Sequence, residues 1–440
     1  MPKDTVGQYL AKHADLDREA LALDIAPVST VICIPLHDED EGFLATLESA
    51  AQLDRAETTL LILLVNDAQD NAADTHARNT VFIRWLRTLL GARDAPASVT
   101  DWRGLTVLLI DRTQPGRRLP AGQGVGLARK IAGDVALALH RRGTVRSPWM
   151  ACTDADVRLP HDYLRRLPSP NAPYSAALFP FEHTLEGSSA QSIAMQQYES
   201  YLHYYVLGLS HADSPYAYHS VGSSFAVHME KYAAVRGFPR KLAAEDFYLL
   251  NKLIKQAPMI RLAGAPIRIR GRESNRVPFG TGKAVLDIQQ TKEPYRVYNP
   301  LVFDALAVWI RAQHRFCAQP KGFNWVAELQ HPDLPSKLLH TCLDRQGALV
   351  AAEKSAAQVP DMERLQHRMF EWNDAFRTLR LIHMLRDAGL GTLPILEAFA
   401  KAPFTPRSQP PIDLDTATRM LGCAANPRHA PVVTPQHAVQ

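Results

Sequence analysis

A mainly parallel α/β sheet flanked by helices, followed by a mostly helical C-terminal region, is the fold class this sequence predicts. Three observations predict it. Short apolar runs recur at residues 30–34, 59–65, 105–110 and 149–153. Stretches with helical spacing lie between them, at 41–52, 79–90 and 127–140. The runs are continuously apolar rather than alternating, as strands covered on both faces must be.

Beyond residue 156 the pattern changes. Residues 175–179 read as a strand, 191–209 as a tyrosine-rich helix, and 218–227 as extended. Residues 244–255 read as helix and 265–270 as strand. Further on, Leu365, Met369, Trp372, Phe376, Leu379 and Ile382 recur three or four apart, and Gly389 offers a stop. That spacing predicts one amphipathic helix packed on a core. Four segments follow: a helical lead-in over 1–28, the sheet domain over 29–290, a helical region over 291–402, and a flexible tail over 403–440. The tail is rich in proline and polar residues.

The 440 residues suit one large domain and a smaller one. The net charge of +4 singles out no partner and gives no sign of nucleic-acid binding. No apolar run reaches the roughly 20 residues that span a bilayer. The first residues carry Asp4, Asp15, Asp17 and Glu19 and lack an apolar core, so no signal peptide is expected and a cytoplasmic location is the default. The five cysteines show no zinc-ligand spacing, and Cys33 and Cys152 fall inside apolar runs as small core residues.

Ligands of a parallel sheet bind at the carboxyl ends of its strands. Four of those ends are acidic here: Asp38 and Glu39 after the first run, Asp67 after the second, Asp111 after the third, and Asp154 and Asp156 after the fourth. One acid after a strand commonly caps the next helix. Several converging acids repel one another and need a cation or donors. In an extended segment, residues i and i+2 face the same side. Asp154 and Asp156 therefore suit a hard cation, Mn²⁺ or Mg²⁺, that keeps positions open for phosphate oxygens. Such an ion neutralises the charge that develops on a departing diphosphate. A surface turn with two solvated aspartates is the bland alternative.

Six segments resemble family 2 glycosyltransferases with the GT-A fold. Val31-Ile-Cys-Ile-Pro-Leu-His-Asp-Glu39 is similar to their opening V-V-I-P-x-Y-N-E strand, and Val65-Asn-Asp67 to their V-D-D motif. Gly126-Leu-Ala-Arg-Lys130 resembles G-x-A-R-N, and Thr153-Asp-Ala-Asp156 the D-x-D motif. Val221-Gly-Ser-Ser-Phe-Ala-Val227 with Arg236-Gly-Phe238, and then Ala244-Glu-Asp-Phe247, resemble the remaining two segments. Their order agrees from about residue 29 to 271. The resemblance implies roles. Pro35, Glu39 and Asp67 would line a nucleotide base pocket, and Arg129 would sit near the base or diphosphate. Asp154 and Asp156 would serve the metal, with Asp154 also touching the donor. Asp246 would be the general base that takes the acceptor's proton, giving inversion. The start of a helix at 244–246 would favour its ionised form; helix capping is the other use of Glu245 and Asp246.

This sequence departs from the family pattern in places. His37 stands for an aromatic residue, Asp38 for asparagine, Ala68 for glycine and His228 for arginine. The Q-x-x-R-W motif of processive members is absent, so transfer of one sugar is expected. The donor expected is a nucleotide-diphosphate sugar, UDP-linked. The acceptor is a hydroxyl of a carbohydrate, a lipid-linked molecule or a small molecule. A non-catalytic scaffold of the same fold in a polysaccharide-making assembly and a retaining transferase are the alternatives.

Other features weigh less. Arg272 and Arg276 sit in a glycine- and arginine-rich loop after a strand; they either clamp the diphosphate or decorate the surface. Gly122-Gln-Gly-Val-Gly126 has the wrong spacing for a dinucleotide fingerprint and gives a flexible entry to the helix carrying Arg129. Tyr198, Tyr201, Tyr204 and Tyr205 are packing residues or a stacking surface. His203 and His219 are structural rather than ligands.

Overall fold

The computed structural model describes residues 4–185, 188–271, 280–291, 295–359, 361–406, 413–425 and 431–432. These form two compact units. The first draws on residues 1–186 and 220–284, the second on 187–219 and 285–427.

The first unit is built on a sheet. Its strands are β1 (Thr30–Leu36), β2 (Thr59–Asn66), β3 (Ala97–Trp102), β4 (Leu105–Arg112), β5 (Trp149–Cys152), β6 (Val157–Arg158), β7 (Ala176–Leu178), β8 (Phe181–Thr184), β9 (Phe225–His228), β10 (Met259–Arg261) and β11 (Ile267–Arg270). In the main sheet they run β10-β7-β9-β5-β1-β2-β4-β3. β1 pairs in parallel with β2 and β5, β2 with β4, and β7 with β10. Antiparallel β3 closes one edge, and β9 inserts antiparallel between β5 and β7. β6, β11 and β8 make a small separate sheet. Every residue of β1 and β2 is buried, which accounts for their unbroken apolar character.

The sequence reading missed β3. Arg103 and Gly104 both take positive φ, 50° and 86°, and make the tight turn that folds β3 back on β4. The usual Asn-Gly signal for such a turn is absent. The extended stretch expected over 218–227 forms a strand only at Phe225–His228. Cys33 and Cys152 are buried and face each other across β1 and β5.

The helix Gly124–Arg141 lies on this sheet, buried along nearly all its length. Gly126 is required where it stands. A Cβ there would come 2.5 Å from both the Lys241 and Pro239 carbonyl oxygens, and its own N–H donates to Lys241 O at 3.0 Å. One turn on, Lys130 and Asp134 anchor the start of the chain. Tyr9, from the helix Thr5–Lys12, donates to Asp134 Oδ1 at 2.5 Å, and Tyr232 donates to the same oxygen at 2.9 Å. Asp134 Oδ2 accepts Asp15 N–H at 2.6 Å and faces Lys130 Nζ at 3.1 Å. Lys130 also donates to the Tyr9 hydroxyl. Asp15 in turn holds Arg240 through two hydrogen bonds of 2.9 and 2.7 Å.

The second unit is mostly helical. Helix Ser189–His211 crosses helix Leu301–Ala318 at Gly208, where a Cβ would meet the Phe303 ring at 2.6 Å. Phe303, Leu306, Trp309, Leu343, Leu381 and Ile382 are among its core residues. The single helix expected across Leu365 to Ile382 is two, Met362–Trp372 and Ala375–Leu385. Asp374 accepts Arg377 N–H and starts the second, which resets the helical phase and leaves Phe376 49% exposed. Leu414–Ala425, within the stretch expected as a tail, is a helix that buries Leu421 and joins Ser200 to Thr418 at 2.6 Å. Among the described residues, no helix is long and apolar enough to cross a membrane.

Asp134 is wholly buried and serves four donors at once. Its removal leaves the buried Lys130 with the more distant Asp15 carboxylate, 3.9 Å away, and the Tyr9 hydroxyl. Asp134→Ala is expected to lower unfolding free energy by about 3–5 kcal/mol, and Tyr9→Phe by about 1 kcal/mol. Urea unfolding at unchanged m-value is the measurement.

Candidate active site

The site is assembled at the carboxyl ends of β1, β2 and β5. Beyond β5, Thr153 continues the pairing by donating N–H to Cys33 O at 3.2 Å, and its hydroxyl donates to Ser223 O at 3.0 Å. Ala155 is buried, while Asp154 and Asp156 on either side are partly exposed. Arg270 N–H donates to Asp156 O at 2.7 Å, which ties this turn to β11.

Arg129 is the centre of the cluster. Its side chain is buried and anchored three ways: Nε to Glu245 Oε1 at 2.8 Å, Nη1 to Thr153 O at 3.4 Å, and Nη2 to Asp154 Oδ1. Burial works against its charge, but Asp154 and Glu245 outweigh it and its pKa is raised. The helix Glu245–Leu253 brings in Glu245 and Asp246. It begins after Ala244, which takes φ 59° and ψ 21°. A left-handed alanine costs about 1–3 kcal/mol, and such strain persists only where the surroundings hold it. Gly222 covers the cluster: a Cβ there would stand 2.7 Å from Arg129 Nη2 and 3.4 Å from Asp246 Oδ2.

Asp246 differs from the expectation that a helix start would favour its ionised form. Burial first, and then repulsion from Glu245, push its pKa up to about 7; the Phe247 N–H that it accepts at 2.7 Å and the charge of Arg129 only moderate this. Burial raises Glu245 as well, against the pull of Arg129. A carboxyl group that exchanges its proton near neutrality is suited to acid–base work.

Asp67 belongs to a second group. It is fully buried, accepts from Asn71 Nδ2 and contacts His76 Nδ1, each at 2.6 Å, and lies 3.4 Å from Arg118 Nε. Pro35 sits inside β1, buried opposite Leu64 of β2. Asp38 takes φ 54° in the loop that follows. Arg78 grips its carboxylate at 2.6 and 3.0 Å, and the buried Asn79 accepts its N–H at 2.8 Å. Glu39, next in the chain, is partly exposed. Asp111 is paired with Arg87 at 2.8 Å and accepts from Thr113. It joins neither group.

Arg129, Asp154, Glu245 and Asp246 are thus brought together, and Asp67 stands with its own partners. Arg272 and Arg276 lie outside the described residues. Sequence reasoning missed Arg78, Asn79, His76 and Gly222 as site-shaping residues. No motif marks Arg78, Asn79 and His76, whose partners Asp38, Asp38 and Asp67 stand 40, 41 and 9 residues away, and Gly222 falls within the Val221–Val227 segment without a role of its own. Among the described residues, no group of three histidine, cysteine, aspartate or glutamate side chains is placed to hold a metal ion.

Fold and site together define an α/β protein with a buried arginine–carboxylate cluster at the mouth of a mainly parallel sheet. No protein-family model matches the chain, and no curated protein matches it. Solved structures similar to it include S. aureus TarS 1-349 in complex with UDP-GlcNAc, 10% identical with a TM-score of 0.38, over 82% of this chain and 90% of that one. Another is the mannosyltransferase PcManGT from Pyrobaculum calidifontis in complex with GDP-Man and Mn²⁺. It is 16% identical with a TM-score of 0.35, over 88% of this chain and 94% of that one.

The raised pKa of Asp246 has a consequence for stability. The folded chain holds this proton more tightly than the unfolded chain does. The group's contribution to stability is therefore fully present below pH 3.8 and is lost as pH rises to about 7. Thermal unfolding across that window is expected to show Asp246→Asn less sensitive to rising pH than the parent, with the variant the more stable above pH 7. An unchanged pH profile in the variant is the contrary result.

Proposed function

We propose that the protein transfers one sugar, with inversion, from a nucleotide-diphosphate sugar to a hydroxyl acceptor. UDP is the nucleotide and the enzyme is non-processive. One observation carries the reading: Arg129, Asp154, Glu245 and Asp246, drawn from three separate segments, meet in one cluster at the strand ends. The order of the six motifs that resemble family 2 glycosyltransferases of the GT-A fold supports it.

In this reading Asp246 accepts the proton of the acceptor hydroxyl. A pKa of about 7 leaves a substantial ionised fraction at neutral pH while keeping the group basic enough to draw the proton. Glu245 is engaged by Arg129, so of the two adjacent acids Asp246 is the one available as base. Arg129 supplies fixed positive charge toward the diphosphate, in a place where burial strengthens it. Asp67, Pro35 and Glu39 line the base pocket, with His76 and Asn71 orienting Asp67 and with Arg78 and Asn79 holding the loop that carries Glu39.

The donor set suits a divalent ion. Asp154 and Asp156 offer hard oxygens on either side of a buried residue, and Mn²⁺ or Mg²⁺ takes two carboxylates and completes its shell with phosphate and water. Bound there, the ion would neutralise charge on the departing diphosphate.

Thermal unfolding across a panel of nucleotide sugars with Mn²⁺ or Mg²⁺ tests the reading. A UDP-sugar is expected to raise the midpoint in the parent and in Asp246→Asn but not in Asp156→Ala, and transfer to be lost in both variants. No response to any nucleotide sugar sinks the transferase reading. Loss of donor binding in Asp246→Asn sinks its assignment as base.

A further inference from the structure

A metal ion and Arg129 make competing claims on Asp154. The guanidinium has three anchors of unequal depth. Its contacts with Glu245 and with Thr153 O lie in the interior, where Arg129 and Glu245 are 4% and 6% exposed. Asp154 is 34% exposed, so that contact faces water. Giving up Asp154 would leave Arg129 still paired with Glu245, whereas giving up Glu245 would strand a buried acid. The contact with Asp154 is therefore the exchangeable one.

We propose that Arg129 is the internal counter-ion of the Asp154 cation site. It fills the charge requirement of Asp154 in the free protein, so a divalent cation alone binds weakly. This inference rests on the metal reading given above. A cation at Asp154 would lie beside a fixed guanidinium, and like charges at such range repel strongly in a partly desolvated setting. A diphosphate near Arg129 neutralises that charge. Cation and diphosphate then raise each other's affinity, and by linkage each does so by the same factor. Gly222 belongs to the same device, because its missing side chain leaves room for Nη2 in this position.

The test measures Mn²⁺ binding to the full chain without nucleotide, read from the electron paramagnetic resonance signal of free Mn²⁺. The proteins compared are the parent, Asp154→Asn, the paired variant Arg129→Met with Glu245→Gln, and that pair combined with Asp154→Asn. Replacing both members of the buried ion pair avoids leaving one charge alone. If the pair shows no cooperative unfolding, Gly222→Ala takes its place, since it crowds Nη2 and keeps both charges. The expected result is Mn²⁺ binding at least about fivefold tighter in the pair than in the parent, with the gain abolished by Asp154→Asn. Unchanged affinity in the pair, with binding still lost in Asp154→Asn, overturns the counter-ion role and leaves the metal reading standing. Binding that ignores Asp154→Asn, or no binding by any of the proteins, overturns the metal reading and the counter-ion role together.

Discussion

A single buried guanidinium organises the mouth of the sheet. Two charges about 4 Å apart attract by about 4 kcal/mol at the effective dielectric of a protein surface, and removing them from water costs several kcal/mol per ion. The ion pairs of Arg129 are thus close to break-even as sources of stability. Their value is positional. Arg129 fixes where Asp154 leaves β5 and where Glu245 begins its helix, and so where Asp246 points. Two departures from easy backbone chemistry serve the same cluster: a left-handed alanine at 244 and a bare glycine at 222.

The helix Gly124–Arg141 ties this cluster to the rest of the unit. Arg129 reaches the strand ends, Gly126 lets the 239–241 backbone approach, and Lys130 with Asp134 takes in the N-terminal lead. Charge on one helix is therefore compensated by three segments remote in sequence. That explains how so many ionisable groups are buried in a sheet of apolar strands.

Much of this was legible in the sequence. Continuous apolar runs marked β1, β2, β4 and β5, because both faces of those strands are covered. Asp154, Arg129 and Asp246 stood out by motif, and the structure brings them together. β3 was not legible, because Arg-Gly is a weak turn signal. The break at Asp374 was not, because the apolar spacing ran through it. The pairing of Glu245 with Arg129, 116 residues away, had no local signature. The electrostatics of Asp246 were misread for a related reason: the helix start is local and visible, whereas burial and the adjacent Glu245 depend on the assembled fold.

The lead-in helix has a consequence for the order in which the chain acquires its structure. Tyr9 and Asp15 precede their partners in synthesis: Asp134 lies more than a hundred residues later and Arg240 another hundred beyond that. Contacts this distant in sequence close slowly, since a long loop must be ordered before they form. The lead-in helix therefore meets its full set of partners only once residues around 240 have been made.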